Sequence, residues 1–122
     1  MIYFASRTGN VRSIVGRLSL PHREIQQHTV AQEPFLLFTY TDGLGEVPQL
    51  VSEFMERNSH LCKGIIASGN SNFGHRVFCG AADKLNAQYN IPIVCKIEMR
   101  SAKRDEDIQK YYERVIRIEN LS

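Results

Sequence analysis

Residues 35–48 read Phe35-Leu-Leu-Phe-Thr-Tyr-Thr-Asp-Gly-Leu-Gly-Glu-Val-Pro48, or FLLFTYTDGLGEVP. Four apolar residues in succession, with no polar alternation, are the pattern of a strand buried on both faces. The run then breaks into Thr39, Tyr40, Thr41 and Asp42, followed by Gly43 and Gly45 on either side of Leu44. Pro48 suits a first helical turn. Val47, Leu50, Val51, Phe54 and Met55 recur around it at helical spacing. The stretch is a strand, a glycine-bearing loop and a helix, in that order.

The same unit recurs along the chain. Residues 1–5 (MIYFA) form a short apolar strand, and Val11, Ile14, Val15 and Leu18 share one helical face that Pro21 closes. Residues 23–27 fit a short edge strand. Gly64–Ser68 is the next strand, followed by the loop GNSNFGH and a helix through Phe78, Ala81, Ala82 and Leu85. Ile91–Met99 is the last strand. Asp105–Ile118 is the last helix, with acids in its first turn and Arg114 and Arg117 in its last, as the helix dipole prefers. This alternation predicts an α/β fold, a doubly wound parallel sheet with helices on both faces. Right-handed crossovers and five strands give the order 2-1-3-4-5. Ligands of such sheets sit at the carboxyl ends of the strands, beside the switch in strand order. Strands 1, 3 and 4 end in SRTGN, TYTDGLGEVP and SGNSNFGH, so three polar, glycine-bearing loops converge on one edge.

Length and composition set the bounds. A chain of 122 residues is read as one domain, 1–122, with 43% hydrophobic and 23% charged residues. No run approaches the roughly 18 apolar residues of a membrane span, and MIYFASRTGN enters a strand with no leader pattern. Cys62, Cys79 and Cys95 are odd in number and widely spaced, without a CxxC or zinc spacing. A reducing compartment, the cytoplasm, is expected. A net charge of +2 from interspersed charges gives no footprint for nucleic acid.

Each loop has two readings. Ser6-Arg7-Thr8-Gly9-Asn10-Val11 offers hydroxyls, an amide and the N–H groups of a helix start, which suit a phosphate dianion. The same residue types are ordinary N-caps. The loop is no Walker A sequence, lacking GK[ST], and no GxGxxG dinucleotide fingerprint. It also lacks the Cys and Arg of a phosphocysteine phosphatase loop, and no acidic pair follows strand 1 as in a receiver domain. In the second loop Gly43 and Gly45 accept φ > 0 and would let a flat ligand approach the backbone. Tyr40 offers a ring contact worth about 0.5–1.5 kcal/mol beyond area burial. A plain turn into a proline-started helix explains the glycines equally. The third loop brings Asn70 and Asn72 as donor–acceptors, Phe73 as a ring and Gly74 as another close-approach point, or else is a surface turn. Taken together, the loops describe one phosphate, one planar heterocycle and amides for its polar edge. Flavin mononucleotide (FMN) has those parts. His22, His28, His60 and His75 show no metal spacing. The first three are expected at the surface, and His75 borders the third loop. Cys79 and Cys95 read as core, and Tyr111 and Tyr112 as helix packing and surface residues.

SRTGN resembles the phosphate loop of flavodoxins, S/T-x-T-G-x-T, with Val11 in place of the last Thr. TYTDGLGEVP together with ASGNSNFG and the short length is more specific. From residue 2 to about residue 118 the chain resembles the NrdI family, flavodoxin-like activators of class Ib ribonucleotide reductases. Phe73 stands where relatives often have Trp. The resemblance implies a flavodoxin-like FMN protein, a redox accessory protein rather than an enzyme with its own organic substrate. It implies that the reduced flavin reacts with molecular oxygen, and that the resulting superoxide- or peroxide-level oxidant reaches the dimanganese site of the radical subunit. It also implies an electron donor of the flavodoxin- or ferredoxin-reductase or redoxin type, with no nucleic acid and no membrane as partner. Carried over, Ser6, Arg7, Thr8, Gly9, Asn10 and Val11 form the phosphate loop. Thr39, Tyr40, Thr41, Asp42, Gly43, Leu44 and Gly45 flank the isoalloxazine. Ser68, Gly69, Asn70, Asn72, Phe73 and Gly74 meet its pyrimidine edge.

Charge distinguishes the activator from the acidic flavodoxins that carry electrons. This chain is slightly basic, with Asp42 and Glu46 the charged residues of the second loop. Fewer negative charges near the ring penalise the anionic, fully reduced flavin less, and a less acidic surface fits a different docking partner. The alternatives are a small flavodoxin acting only as an electron carrier and a non-redox phosphate- or nucleotide-binding regulatory module.

Overall fold

A computed structural model describes residues 1–7, 9–41, 45–69, 79–98 and 104–117. Its strands are β1 (Ile2–Phe4), β2 (His22–Glu24), β3 (Phe35–Tyr40), β4 (Cys62–Gly69) and β5 (Ile93–Glu98). Its α-helices are α1 (Asn10–Leu18), α2 (Gln49–Asn58), α3 (Gly80–Tyr89) and α4 (Asp105–Tyr111). All strand pairings are parallel, in the order β2-β1-β3-β4-β5.

Strand alternation divides the core into two halves. Tyr3, Phe35, Leu37, Ile65 and Ala67 face Val51, Phe54 and Met55 of α2 and Ala82 and Leu85 of α3. Ile2, Phe4, Leu36, Phe38 and Ile66 face Val11, Val15 and Leu18 of α1 and Ile108 of α4. Thus α1 and α4 cover one face and α2 and α3 the other, the doubly wound arrangement. Every side chain from Phe35 to Phe38 is fully buried, each worth about 1.5–3 kcal/mol relative to exposure. On the first face the rings of Tyr3, Phe35 and Phe54 meet with centroids 5.2–5.4 Å apart. Beside them buried Asn58 donates to Phe54 O at 2.9 Å and accepts from Ala31 N–H at 3.0 Å, tying the end of α2 to the chain entering β3. On the second face a bidentate Arg17–Asp105 pair at 3.0 Å and a Gln109-to-Leu18 carbonyl bond at 2.6 Å join α1 to α4.

Several boundaries differ from the sequence reading. The edge strand is His22–Glu24 rather than 23–27, because β1 offers three partners and pairs Ile2 with His22. The first helix stops at Ser19, which adopts φ 56, two residues ahead of Pro21. Pro48 caps α2 from outside with ψ 140 instead of standing in its first turn, and Val47 precedes it. β4 begins at Cys62, two residues before Gly64, with a register shift opposite Phe35/Leu36. β5 begins at Ile93. Pro92, which has no N–H to give a ladder, contributes its carbonyl to Ile65 N–H at 2.9 Å. The last helix passes at Tyr112 into a π-helical turn, Tyr112–Arg117. Tyr111 and Tyr112 both pack inward, Tyr111 donating to Lys63 O at 2.6 Å. No described helix is long and apolar enough to cross a membrane.

Candidate functional site

The carboxyl ends of β1, β3 and β4 lie side by side at the centre of the sheet, so Ser6, Tyr40–Thr41 and Ser68–Gly69 share one edge. Ser6 Oγ accepts from Gly9 N–H at 3.2 Å and from Arg12 N–H at 3.3 Å, folding the loop onto the start of α1. Gly9 has φ 88, a left-handed turn in which a side chain would be strained although space around it is open. Asn10 is exposed. Val11 turns its side chain into the core beside Val15 and Leu18, leaving its backbone as the group it offers the loop. No acidic residue stands in the first turn of α1 to oppose an anion there. Thr8 lies outside the described residues.

Arg7 links this loop to the second, with its guanidinium carbon 5.4 Å from the centroid of the half-buried Tyr40 ring. Thr39 is buried and donates to Tyr40 O at 2.8 Å. Thr41 N–H donates to Ser68 O at 3.0 Å, so the second and third loops leave the sheet knitted together. Thr41 Oγ1 is buried without a hydrogen-bond partner among the described residues. Gly45 has φ 94. Asp42, Gly43 and Leu44 lie outside the described residues, as do Asn70, Asn72, Phe73, Gly74 and His75. Buried Ser68 and Gly69 end β4.

Two residues that sequence reasoning passed over as parts of this edge stand before and at the start of α3. Cys79 is fully buried with φ 52, a conformation costing an ordinary residue about 1–2 kcal/mol. Gly80 lies against Gly45 so closely that an added Cβ would stand 2.8 Å from its Cα and carbonyl oxygen. At Gly69 an added Cβ would meet Cys79 N at 3.0 Å. Protein backbone therefore makes the close approach at Gly69 and Gly80. A glycine opening a helix directly after a loop was the available signal for Gly80, whereas the left-handed turn at Cys79 has none in sequence.

Burial pushes the Cys62 and Cys79 thiols from an ordinary 9.0 up to about 12, and Cys95 to about 11. The folded state holds these protons more tightly than the unfolded chain. Their contribution to stability is therefore whole below about pH 9 and lost as pH rises through the folded values. Two results are expected. Iodoacetamide at neutral pH should modify none of the three buried cysteines in native protein and all three in denaturant. The melting temperature should decline once the pH exceeds about 9. Labelling of native protein would show a thiol outside the core.

A five-stranded parallel sheet in this order, with a left-handed glycine between β1 and α1, defines a flavodoxin-like protein. Solved structures agree. A short-chain flavodoxin associated with a non-canonical PDU bacterial microcompartment superposes with TM-score 0.68 at 19% identity, covering 99% of this chain and 97% of that one. Oxidised flavodoxin 1 from Bacillus cereus gives TM-score 0.57 at 20% identity, over 92% and 90%. The family described as NrdI Flavodoxin like matches residues 2–111. Protein NrdI of Bacillus licheniformis is 39% identical over 108 residues, 88% of this chain and 82% of that protein. The chain belongs to the NrdI flavodoxin-like family. Membership implies FMN as cofactor and association with class Ib ribonucleotide reductase. The edge fits FMN. The Thr41 hydroxyl, buried without a hydrogen-bond partner among the described residues, suits the polar rim of a heterocycle, and the α1 start, with no acid in its first turn, suits an anion.

Proposed function

We propose that this protein holds FMN across the carboxyl ends of β1, β3 and β4 and supplies an oxidant for assembling the dimanganese-tyrosyl radical cofactor of class Ib ribonucleotide reductase. The observation that carries this reading is the NrdI match along residues 2–111. Once bound and reduced by a flavodoxin- or ferredoxin-reductase or redoxin-type donor, FMN would supply the electrons for converting oxygen into a superoxide- or peroxide-level oxidant. The chain's own residues bind and orient. Ser6 to Val11 take the phosphate, Thr39 to Gly45 flank the ring, and Ser68 to Gly74 meet its pyrimidine edge. The Arg7 guanidinium over Tyr40 adds positive charge on this edge, which favours negative charge gathering on a reduced ring.

Purified protein is expected to be yellow or to take up added FMN. In its reduced form, with oxygen present, it should raise radical yield in a manganese-loaded class Ib radical subunit. Flavin uptake without any gain in radical would leave an electron carrier, and failure to bind FMN would leave a non-redox phosphate-binding module. Within the phosphate loop, Thr8→Ala removes a hydroxyl partner of a charged group, worth about 1.5–3 kcal/mol. FMN affinity should fall at least about tenfold while the circular dichroism of α1 persists, since Ser6 still accepts from Gly9 and Arg12. Parental affinity in a fluorescence titration would make the loop a helix cap and nothing more.

A further inference from the structure

Gly45 and Gly69, at the ends of the two loops assigned to the flavin ring, are joined to each other through the start of α3. Cys79 Sγ lies 3.3 Å from Ala67 O and 3.9 Å from Ile97 O, which pins the residue against the ends of β4 and β5. A Cβ built on Gly69 would stand 3.0 Å from Cys79 N and 3.1 Å from its Sγ. One residue on, a Cβ built on Gly80 would stand 2.8 Å from both Cα and O of Gly45. The atoms met at Gly80 are backbone, which cannot swing aside as the end of a long side chain can. Contact therefore runs from Gly69 through Cys79 and Gly80 to Gly45, bridging the root of the third loop and the end of the second. On the next turn of α3, Lys84 pairs with Glu46 at 2.7 Å, beside the same contact.

We propose that Cys79 and Gly80 are positioning residues that fix Gly45 and Gly69, the described residues at the ends of the second and third loops, relative to each other, and so tune the ring end of the FMN site. The proposal rests on the FMN reading of this edge. Both residues act through their neighbours, Cys79 through Gly69 and Gly80 through Gly45. A methyl group at position 80 must lengthen a 2.8 Å contact toward ordinary carbon separation, about 3.5–4.0 Å. Gly45 then moves while the phosphate loop after β1 stays in place. The effect belongs to the ring end of the ligand.

The test titrates apo-protein with FMN and with riboflavin, which carries the ring without the phosphate, and measures the midpoint potential of the FMN-loaded form. Gly80→Ala is expected to weaken both ligands by the same factor, about tenfold or more, and to shift the visible spectrum and the potential. Gly64→Ala is the packing control. Its Cβ would meet Val94 Cγ2 at 2.6 Å and Tyr111 Cε1 at 2.9 Å, at the opposite end of β4. It should lower Tm and leave potential and spectrum at their parental values. Parental affinity, spectrum and potential in folded Gly80→Ala would overturn the proposal. So would shifts that Gly64→Ala reproduces. If Gly80→Ala does not fold, Cys79→Gly decides by the same measurements, because glycine accepts φ 52 while the thiol contacts are lost. In that case a restored potential in Cys79→Ser, which keeps a donor toward Ala67 O, is the supporting result. Failure of the parent to bind FMN would sink the underlying reading, and the proposal with it.

Discussion

Phe54→Ala is expected to lose about 3–5 kcal/mol of stability, the range for removing a buried aromatic from a packed core. Phe54 has no exposed surface and touches both Tyr3 and Phe35, at 5.3 and 5.4 Å between centroids. Those partners lie on β1 and β3, the two strands flanking the switch in strand order, so the cavity would open at the middle of the sheet. Neither strand can move to fill it, since their opposite faces hold Ile2, Phe4, Leu36 and Phe38 against α1 and α4. Set against a total stability of about 5–15 kcal/mol for a domain, that is a large share of what holds the fold together. Urea titration followed by circular dichroism measures it. A loss under about 1 kcal/mol would mean that the cluster repacks freely.

The second large effect is expected at Gly45. Its φ of 94 is one that a β-branched residue resists, with a cost of about 1–3 kcal/mol. Gly45→Val should therefore fold, by circular dichroism and thermal melting without flavin. Its FMN affinity should fall roughly tenfold to a hundredfold, its flavin spectrum should change, and its support of radical formation should drop. A variant that folds, binds flavin as the parent does and activates the radical subunit fully would make Gly43-Leu44-Gly45 a plain turn.

Much of this architecture could be read without coordinates because its signals are periodic. The unbroken run Phe35–Phe38 demanded burial on both faces, and helical spacing from Val11 to Leu18 and from Val51 to Met55 marked the faces that cover it. Strand order then followed from handedness. Other features turn on one residue's backbone, as at Ser19, where α1 stops, and at Cys79 ahead of α3, both left-handed without being glycine. Such turns are imposed by tertiary contacts and leave no mark on composition. Glycine carries a different ambiguity. A missing Cβ serves a ligand or a neighbouring backbone equally well, so the sequence could place Gly45 and Gly69 at the edge without showing that Gly80 and Cys79 press against them. Asn58 was silent for a related reason, since its amide bridges to Ala31, 27 residues away.

The hydrogen bonds at Ser6 give the first loop a polarity of its own. A serine hydroxyl has two lone pairs and one proton, and both lone pairs here are engaged by the N–H groups of Gly9 and Arg12. Among the described residues, the proton is the part of that hydroxyl left to offer. For the FMN of the proposed function, Ser6 would therefore serve as a donor to a phosphate oxygen, a role that an ammonium group or an amide N–H could not share. The same hydrogen bonds tie Ser6 to the start of α1, which would lower the ordering cost of binding there. In the proposed site, one hydroxyl would hold the turn through its lone pairs and meet the phosphate through its proton.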